Sequence, residues 1–158
     1  MNLYIKPSLI LGAILGAILG LITLIPMINC LVCFLFGLIG AIVVFYLKKY
    51  NLIGIINIYD GAIIGAISGF IALIAASVVY FPGLFILGLI FKSYLTLGFN
   101  ISASFLMTEF SIIVGIMLIV FMGMMSALFN TFSGLAMAYI YEKIEAKPDD
   151  LPVFTIDE

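Results

Sequence analysis

The sequence predicts an all-α integral membrane protein, a four-helix bundle built from two parallel two-helix hairpin repeats. Of its 158 residues, 66% are hydrophobic and only 9% are charged, and the mean hydropathy is +1.41. Three long stretches carry no charge at all: 7–47, 61–91 and 110–141. A helix needs about 20 apolar residues to cross a hydrocarbon core of about 30 Å. The composition therefore excludes a soluble domain and predicts several membrane spans.

Two near-identical segments place a glycine at every fourth position. GAILGAILGLITL begins at Gly12 and GAIIGAISGFIAL begins at Gly61, an offset of 49 residues with 9 identities over 13 positions. Residues four apart share a helix face, and glycine there lets two helix backbones approach closely in lipid. The segments predict glycine-zipper helices and an internal duplication, with units at about 8–50 and 60–143. Each unit crosses the membrane twice, so both copies have the same orientation.

The first two spans form the first unit. The first is predicted over about 8–25, where Pro26 ends it, and the second over about 30–47, before the basic and polar stop at 48–51. The first span resembles a signal peptide in following a single lysine. The residues before Cys30 lack the small side chain that a cleavage site requires, so the segment is interpreted as a retained helix.

The third span is predicted over about 60–81, with Asp60 as a helix N-cap that complements the helix dipole. The fourth is predicted over about 111–141. Between them, 84–91 is apolar but too short to span, which predicts an interfacial or re-entrant segment. The alternative is a third helix that bends at Pro82 and projects beyond the bilayer.

Charge defines the domain boundary and the orientation. Residues 1–141 are predicted to form a single transmembrane domain, and 142–158, with six acids against two lysines, a disordered cytoplasmic tail. Four spans place five of the six lysines on one side of the membrane: Lys6, Lys48, Lys49, Lys143 and Lys147. The positive-inside rule makes that side cytoplasmic, so both termini are predicted to be inside.

The chain has no basic patch for nucleic acid. Its predicted partners are the lipid bilayer and, beyond it, a second copy or another membrane protein.

Small residues line one face of every span and are the predicted helix-packing positions. The predicted packing positions are one amide side chain, Asn130, and the glycines Gly12, Gly16, Gly20, Gly37, Gly61, Gly65, Gly69, Gly123 and Gly134. Asn130 is the only strongly polar side chain deep in a span, so its amide is predicted to form hydrogen bonds between helices. A ligand-binding role is the alternative. The sequence shows no second polar group near Asn130, which disfavours that role.

Cys30 and Cys33 form a CxxC motif at the outer end of the second span. The chain has no histidine and no other cysteine, so one copy cannot complete a tetrahedral metal site, and no cofactor is predicted. The position of the motif resembles that in the quinone-linked thiol oxidases of bacterial inner membranes, which have four spans. The resemblance implies a redox pair. That family also has a second outer cysteine pair and an arginine beside the motif, which this chain lacks, and two buried inert thiols are the other interpretation.

The order of features over 8–83 also resembles an uncharacterised family of small prokaryotic four-span membrane proteins. Members share a glycine-zipper first helix, a Pro/Asn-Cys turn, a Gly/Ala second helix with a basic stop, and a Gly-Asp-Gly-Ala start to the third helix. The corresponding residues here are Gly12, Gly16, Gly20, Pro26, Asn29, Cys30, Cys33, Gly37, Gly40, Lys48, Lys49, Tyr59, Asp60, Gly61 and Ala62. The resemblance implies a fold, a topology and a location in a prokaryotic cell membrane. It implies no activity.

No phosphate-binding loop, nucleophile–base pair or metal-ligating helix occurs in the sequence. The predicted function is therefore non-enzymatic: a scaffold or accessory subunit with closely packed helices. A membrane thiol–disulfide oxidoreductase using Cys30 and Cys33, and a small-solute channel or carrier, are the alternatives. The spans contain no ionisable residue, and such residues usually mark ion pathways, which favours the scaffold over the channel.

Overall fold

Four α-helices make up the fold in the computed structural model, which describes residues 4–25, 28–54, 56–90 and 109–145. They are α1 (Ile5–Ile22), α2 (Asn29–Lys49), α3 (Ile58–Ile90) and α4 (Glu109–Glu145). Each helix is long and apolar enough to cross a membrane. The predicted all-helical fold with four candidate membrane spans is confirmed.

The first helix begins and ends slightly earlier than the sequence predicts. Pro7 lies in its first turn, where a missing backbone N–H costs nothing because the first turn has no intrahelical acceptor for it. The Ser8 hydroxyl donates to the Tyr4 carbonyl at 2.6 Å. At the other end, the Thr23 hydroxyl donates to the Leu19 carbonyl at 2.6 Å and satisfies a group of the last turn.

The second helix ends at the predicted polar stop through a Schellman motif. Asn51 has a φ of 52°, the left-handed conformation that asparagine tolerates better than most residues. Its N–H donates to the Lys48 carbonyl at 3.0 Å, and the N–H of Leu52 donates to the Leu47 carbonyl at 3.0 Å. The Lys48 ammonium also donates to the Gly54 carbonyl at 2.9 Å, which fixes the short connection to α3.

The third helix differs from the prediction at both ends. It continues through Pro82 to Ile90, so 84–90 belong to the same helix as the third span. The apolar sequence continues on both sides of Pro82, and proline is tolerated in membrane helices because neighbouring groups and local adjustments satisfy the freed carbonyl. Asp60 lies within the first turn of α3 and is not its N-cap, although a negative charge is favourable there too. Residues 91–108 lie outside the described part of the chain.

The fourth helix is the longest and extends past the predicted span at both ends. It reaches Glu145, so the first residues of the predicted tail are helical, and 146–158 lie outside the described residues. At 1.5 Å per residue, α3 and α4 are about 50 Å and about 55 Å long, against about 27 Å for α1 and about 32 Å for α2. The second hairpin is thus much longer than the first.

The third helix lies at the centre of the bundle and contacts each of the other three. The main cluster of buried apolar side chains comes from all four helices and from the α2–α3 connection. They are Leu19, Val32, Ile39, Val43, Val44, Leu47, Ile56, Ile64, Ala72 and Ala138. Half of this core lies on α2, mostly in the part that leads to the connection with α3.

Candidate functional site

The glycines of α1 contact a face of small residues on α3. A methyl group added to Gly12, Gly16 or Gly20 would overlap the backbone of Ser68, Ala72 or Ala76, respectively. In both helices the contacting residues are four apart, and their numbers increase in the same direction, so α1 and α3 run parallel. The two backbones touch with no side chain between them.

The glycines of α3 contact α4. A methyl group on Gly61 would overlap Ala138 and Gly134, and one on Gly65 would overlap the backbone of Asn130. The positions on α4 descend as those on α3 ascend, so these helices are antiparallel. Gly69 continues the same face, and a methyl group there would meet the side chain of Asn130 at 2.5 Å.

Two further predicted packing glycines have looser surroundings. A methyl group on Gly123 would lie 3.0 Å from the ring of Phe70, so α4 packs there against a side chain and not against a backbone. Nothing lies within 4 Å of the position that a methyl group on Gly37 would occupy. Gly40, one turn further along α2, is close to the backbone of Asn130.

Asn130 is fully buried and forms hydrogen bonds with α2 as well as within its own helix. Its carboxamide oxygen accepts from the N–H of Gly40 at 2.7 Å, and its NH₂ group donates to the Phe36 carbonyl at 2.9 Å. The same NH₂ group donates to the Ser126 carbonyl at 2.8 Å. Phe36 and Gly40 stand four residues apart, so the amide binds the two backbone groups that pair with each other in a regular α-helix.

Ser126 is the second polar group of this cluster, although none was expected near Asn130 from the sequence. Its hydroxyl donates to the Gly69 carbonyl of α3 at 2.9 Å and lies 3.3 Å from the Asn130 amide nitrogen. The i, i+4 spacing from Asn130 was the signal that could have found it, because such residues share a helix face. We call Asn130, Ser126 and the backbone groups they bind at Phe36, Gly40 and Gly69 the amide cluster. It joins α2, α3 and α4.

A lateral groove of about 470 Å³ opens between α2 and α4 next to the amide cluster. Its lining is apolar apart from Cys33, Ser126 and Asn130. Among the described residues, no buried side-chain nitrogen or oxygen lacks a hydrogen-bond partner. The groove therefore presents aromatic and methionine side chains to the lipid, with its polar groups already bound within the protein.

The two cysteines are only partly covered by the structure. Cys33 is a free, exposed thiol at the edge of the lateral groove, so for this residue the expectation of burial is wrong. The side chain of Cys30 lies outside what the structure describes. The described residues that line the groove beside Cys33 include no charged side chain.

The acids outside the tail do not come together. Asp60 lies at the start of α3 and Glu109 at the start of α4. Because α3 and α4 are antiparallel, the two acids are at opposite ends of the bundle.

The Tyr4 hydroxyl lies beside Asp60. Partial burial raises the pKa of Tyr4, and a hydrogen bond from its hydroxyl to Asp60 raises it further. Within the described ranges, no three histidine, cysteine or acidic residues lie close enough together to hold a metal ion.

No family model, curated protein or solved structure matches this chain. Its function is inferred from the contacts of its own residues.

Proposed function

We propose that this protein is a non-enzymatic scaffold or accessory subunit of a membrane, in which closely packed glycine-zipper helices form a rigid bundle. The observation that carries the proposal is the amide cluster. The one strongly polar side chain deep in the spans is consumed by hydrogen bonds to the backbone of two helices. A polar group that serves as a structural link is not available to bind a solute.

The helix contacts support the same role. The backbones of α1 and α3 touch at Gly16, and those of α3 and α4 touch at Gly65, so these two helix interfaces are filled by backbone and small side chains. Close backbone packing gives a membrane bundle its stability where lipid supplies no hydrophobic drive between helices. Such a bundle is suited to holding a fixed shape against a partner.

The orientation and setting are part of the proposal. The lysine distribution supports a cytoplasmic location for both termini, and the resemblance over 8–83 supports a prokaryotic cell membrane as the setting. Two parallel hairpin repeats, offset by 49 residues, account for the two glycine segments. The parallel course of α1 and α3 supports this arrangement.

Purification of the full chain from its native membranes in a mild detergent tests the scaffold role. We expect it to elute as a defined assembly, with a second copy or with another membrane protein in fixed ratio. A monodisperse monomer that elutes alone under several mild detergents would contradict the proposal. The matched control is the Gly65→Ile variant, whose altered helix contact should disturb the assembly.

Liposome flux separates the scaffold from the channel or carrier alternative. Vesicles that contain the purified protein should release a trapped small solute at the rate of protein-free vesicles. Release that rises in proportion to the protein content would favour the channel.

Thiol trapping in membranes tests the redox alternative. The thiol or disulfide state of Cys30 and Cys33 should not change with the redox state of the quinone pool.

A further inference from the structure

The lateral groove is lined by three sulfur-bearing side chains that come from its two opposite walls. Cys33 belongs to α2, whereas Met122 and Met125 belong to α4, and all three line the groove. The two methionines are three residues apart, so they share a helix face. Cys33 is exposed, Met122 is 50% exposed and Met125 is 38% exposed. None of the three sulfur atoms is therefore enclosed within the core of the bundle.

The register of α2 and α4 places the three side chains at the same depth. Gly40 of α2 lies against Asn130 of α4 and donates its N–H to the Asn130 side chain. The two helices run parallel, because each is antiparallel to α3. Seven residues, or about two turns, toward the start of each helix lead to Cys33 on α2 and to Gly123 on α4. The two methionines flank Gly123 in the sequence, so they lie at the level of the thiol.

The other polar side chains of the groove are not available to an ion. The Ser126 hydroxyl donates to the Gly69 carbonyl at 2.9 Å, and the Asn130 amide is bonded to the backbone of α2. The remaining lining residues are apolar. The side chains that are free to bind a metal ion thus offer sulfur, and neither oxygen nor nitrogen. Thiolate and thioether sulfur are soft ligands, which among the biological metal ions favour Cu(I).

Charge balance also favours a monovalent ion. Among the described residues that line the groove, none is charged, and an uncompensated charge in apolar surroundings is costly. A cysteine binds a metal as the thiolate and releases its proton to water. One thiolate and two neutral thioethers make a neutral complex with Cu(I), whereas a divalent ion would leave one positive charge. Cys33 lies only four residues, about 6 Å along the axis, from the first residue of α2, so the ion and the proton exchange with water at that end.

We propose that Cys33, Met122 and Met125 form a binding site for Cu(I) in the lateral groove. The Cys33 thiol exchanges its proton for the ion, and the oxidation state of the metal does not change. The methionine side chains are unbranched and adaptable, so their sulfur atoms reach an ion held by the thiolate. A tetrahedral site is not required, because Cu(I) forms stable complexes with three sulfur ligands. The site is additional to the scaffold role and leaves the hydrogen bonds of the amide cluster in place.

Competition titration measures the site in the purified full chain. Cu(I), kept reduced by ascorbate, is titrated into the protein in detergent against a chromophoric Cu(I) chelator. Cys30→Ala leaves Cys33 as the only cysteine and should bind the ion as tightly as the unmodified chain. Met122→Leu combined with Met125→Leu keeps the apolar volume but should lower the affinity more than about tenfold, because loss of even an outer-shell partner costs a metal site about 10–100-fold.

A matched control removes two thioethers of the same helix that do not line the groove. Met117 and Met124 are 69% and 55% exposed, and the variant that combines Met117→Leu with Met124→Leu should bind Cu(I) with unchanged affinity. Equal affinities for the two double variants would overturn the proposal. Loss of binding in the Cys30→Ala variant would also overturn it, because the ion would then be held by the CxxC motif.

X-ray absorption of the copper-loaded, unmodified chain tests the ligand set without any substitution. We expect a coordination shell of sulfur alone, with three neighbours of the metal. A shell of two sulfur atoms, or one that contains nitrogen or oxygen, would exclude the site formed by Cys33, Met122 and Met125.

Discussion

At the residue scale, one side chain accounts for much of the specificity of this bundle. A carboxamide has two donor hydrogens and an oxygen acceptor, and at Asn130 each finds a partner within hydrogen-bond distance. An amide in hydrocarbon that lacks partners costs several kcal/mol. Arrangements that separate α4 from α2 are therefore disfavoured, and the amide fixes the register of the two helices.

Replacement of Asn130 by alanine should destabilise the protein through the loss of these bonds. The expected loss in free energy of unfolding is about 1–2 kcal/mol, since hydrogen bonds between membrane helices are individually modest. Denaturant titration of the full chain in detergent micelles, followed by circular dichroism, measures it.

The control for this prediction removes a hydroxyl that bonds only within its own helix. Ser77 donates to the Leu73 carbonyl at 2.8 Å, so Ser77→Ala should change the free energy of unfolding by less than about 0.5 kcal/mol. An equal effect of the two substitutions would mean that the Asn130 bonds across to α2 contribute nothing beyond those within α4.

At the scale of helices, each glycine face has one specific partner. The face of α1 meets α3 in parallel, and the face of α3 meets α4 antiparallel. The two segments that are nearly identical in sequence thus lie in different surroundings. The reason is that α3 also carries the small residues Ser68, Ala72 and Ala76, which extend its glycine face and receive α1.

Alanine substitutions distinguish glycines that form these contacts from glycines that do not. Gly16→Ala and Gly65→Ala add a methyl group that overlaps the backbone of the neighbouring helix. They should each lower the free energy of unfolding by about 1–3 kcal/mol, the usual cost of overpacking. Gly115→Ala adds the same group in open space and should be neutral or slightly stabilising, because alanine favours the helix. If all three variants unfold alike in the micelle titration, these glycine faces do not hold the helices together.

Helices whose limits are marked by hydropathy and polar stops could be predicted from the sequence. The prediction differed from the structure where a single residue suggested a break inside a long apolar run. The end of α2 at 48–51 follows from a basic stop and an asparagine that accepts a left-handed turn. Pro82 suggested a break, yet the apolar run around it continues α3. The pairing of Asn130 with the backbone of Phe36 and Gly40 was beyond the sequence, because backbone partners leave no residue-type signal and helix register is set only in three dimensions.

At the scale of the whole molecule, the two hairpins have unequal lengths. Gly20 lies beside Ala76 near the end of α1, and α3 continues from there to Ile90, about 20 Å further. Helices α1 and α2 match a hydrocarbon thickness of about 30 Å, whereas α3 and α4 exceed it. Tilt of the long hairpin, or its projection from the membrane, accommodates the difference.

The two ends of the bundle differ in charge and in helix length, which makes the orientation testable. The end of the bundle that contains the α2–α3 connection carries Lys48 and Lys49, while the opposite end carries the extended parts of α3 and α4. If the lysine-rich end is cytoplasmic, the long hairpin projects outward. The whole bundle then has a fixed orientation, with both termini inside.

Labelling of single cysteines in intact cells tests this orientation. In a background of Cys30→Ala and Cys33→Ala, Asn51→Cys marks the α2–α3 connection and Ser102→Cys marks the sequence between α3 and α4. An impermeant maleimide should label the Ser102→Cys variant from outside, and it should label the Asn51→Cys variant only after the membrane is permeabilised. Asn51 is exposed at a turn between two helices, so failure to label it in intact cells reflects its side of the membrane and not burial. Labelling of both positions from outside, or of Asn51→Cys alone, would refute the inward placement of the termini and the four-span topology that depends on it.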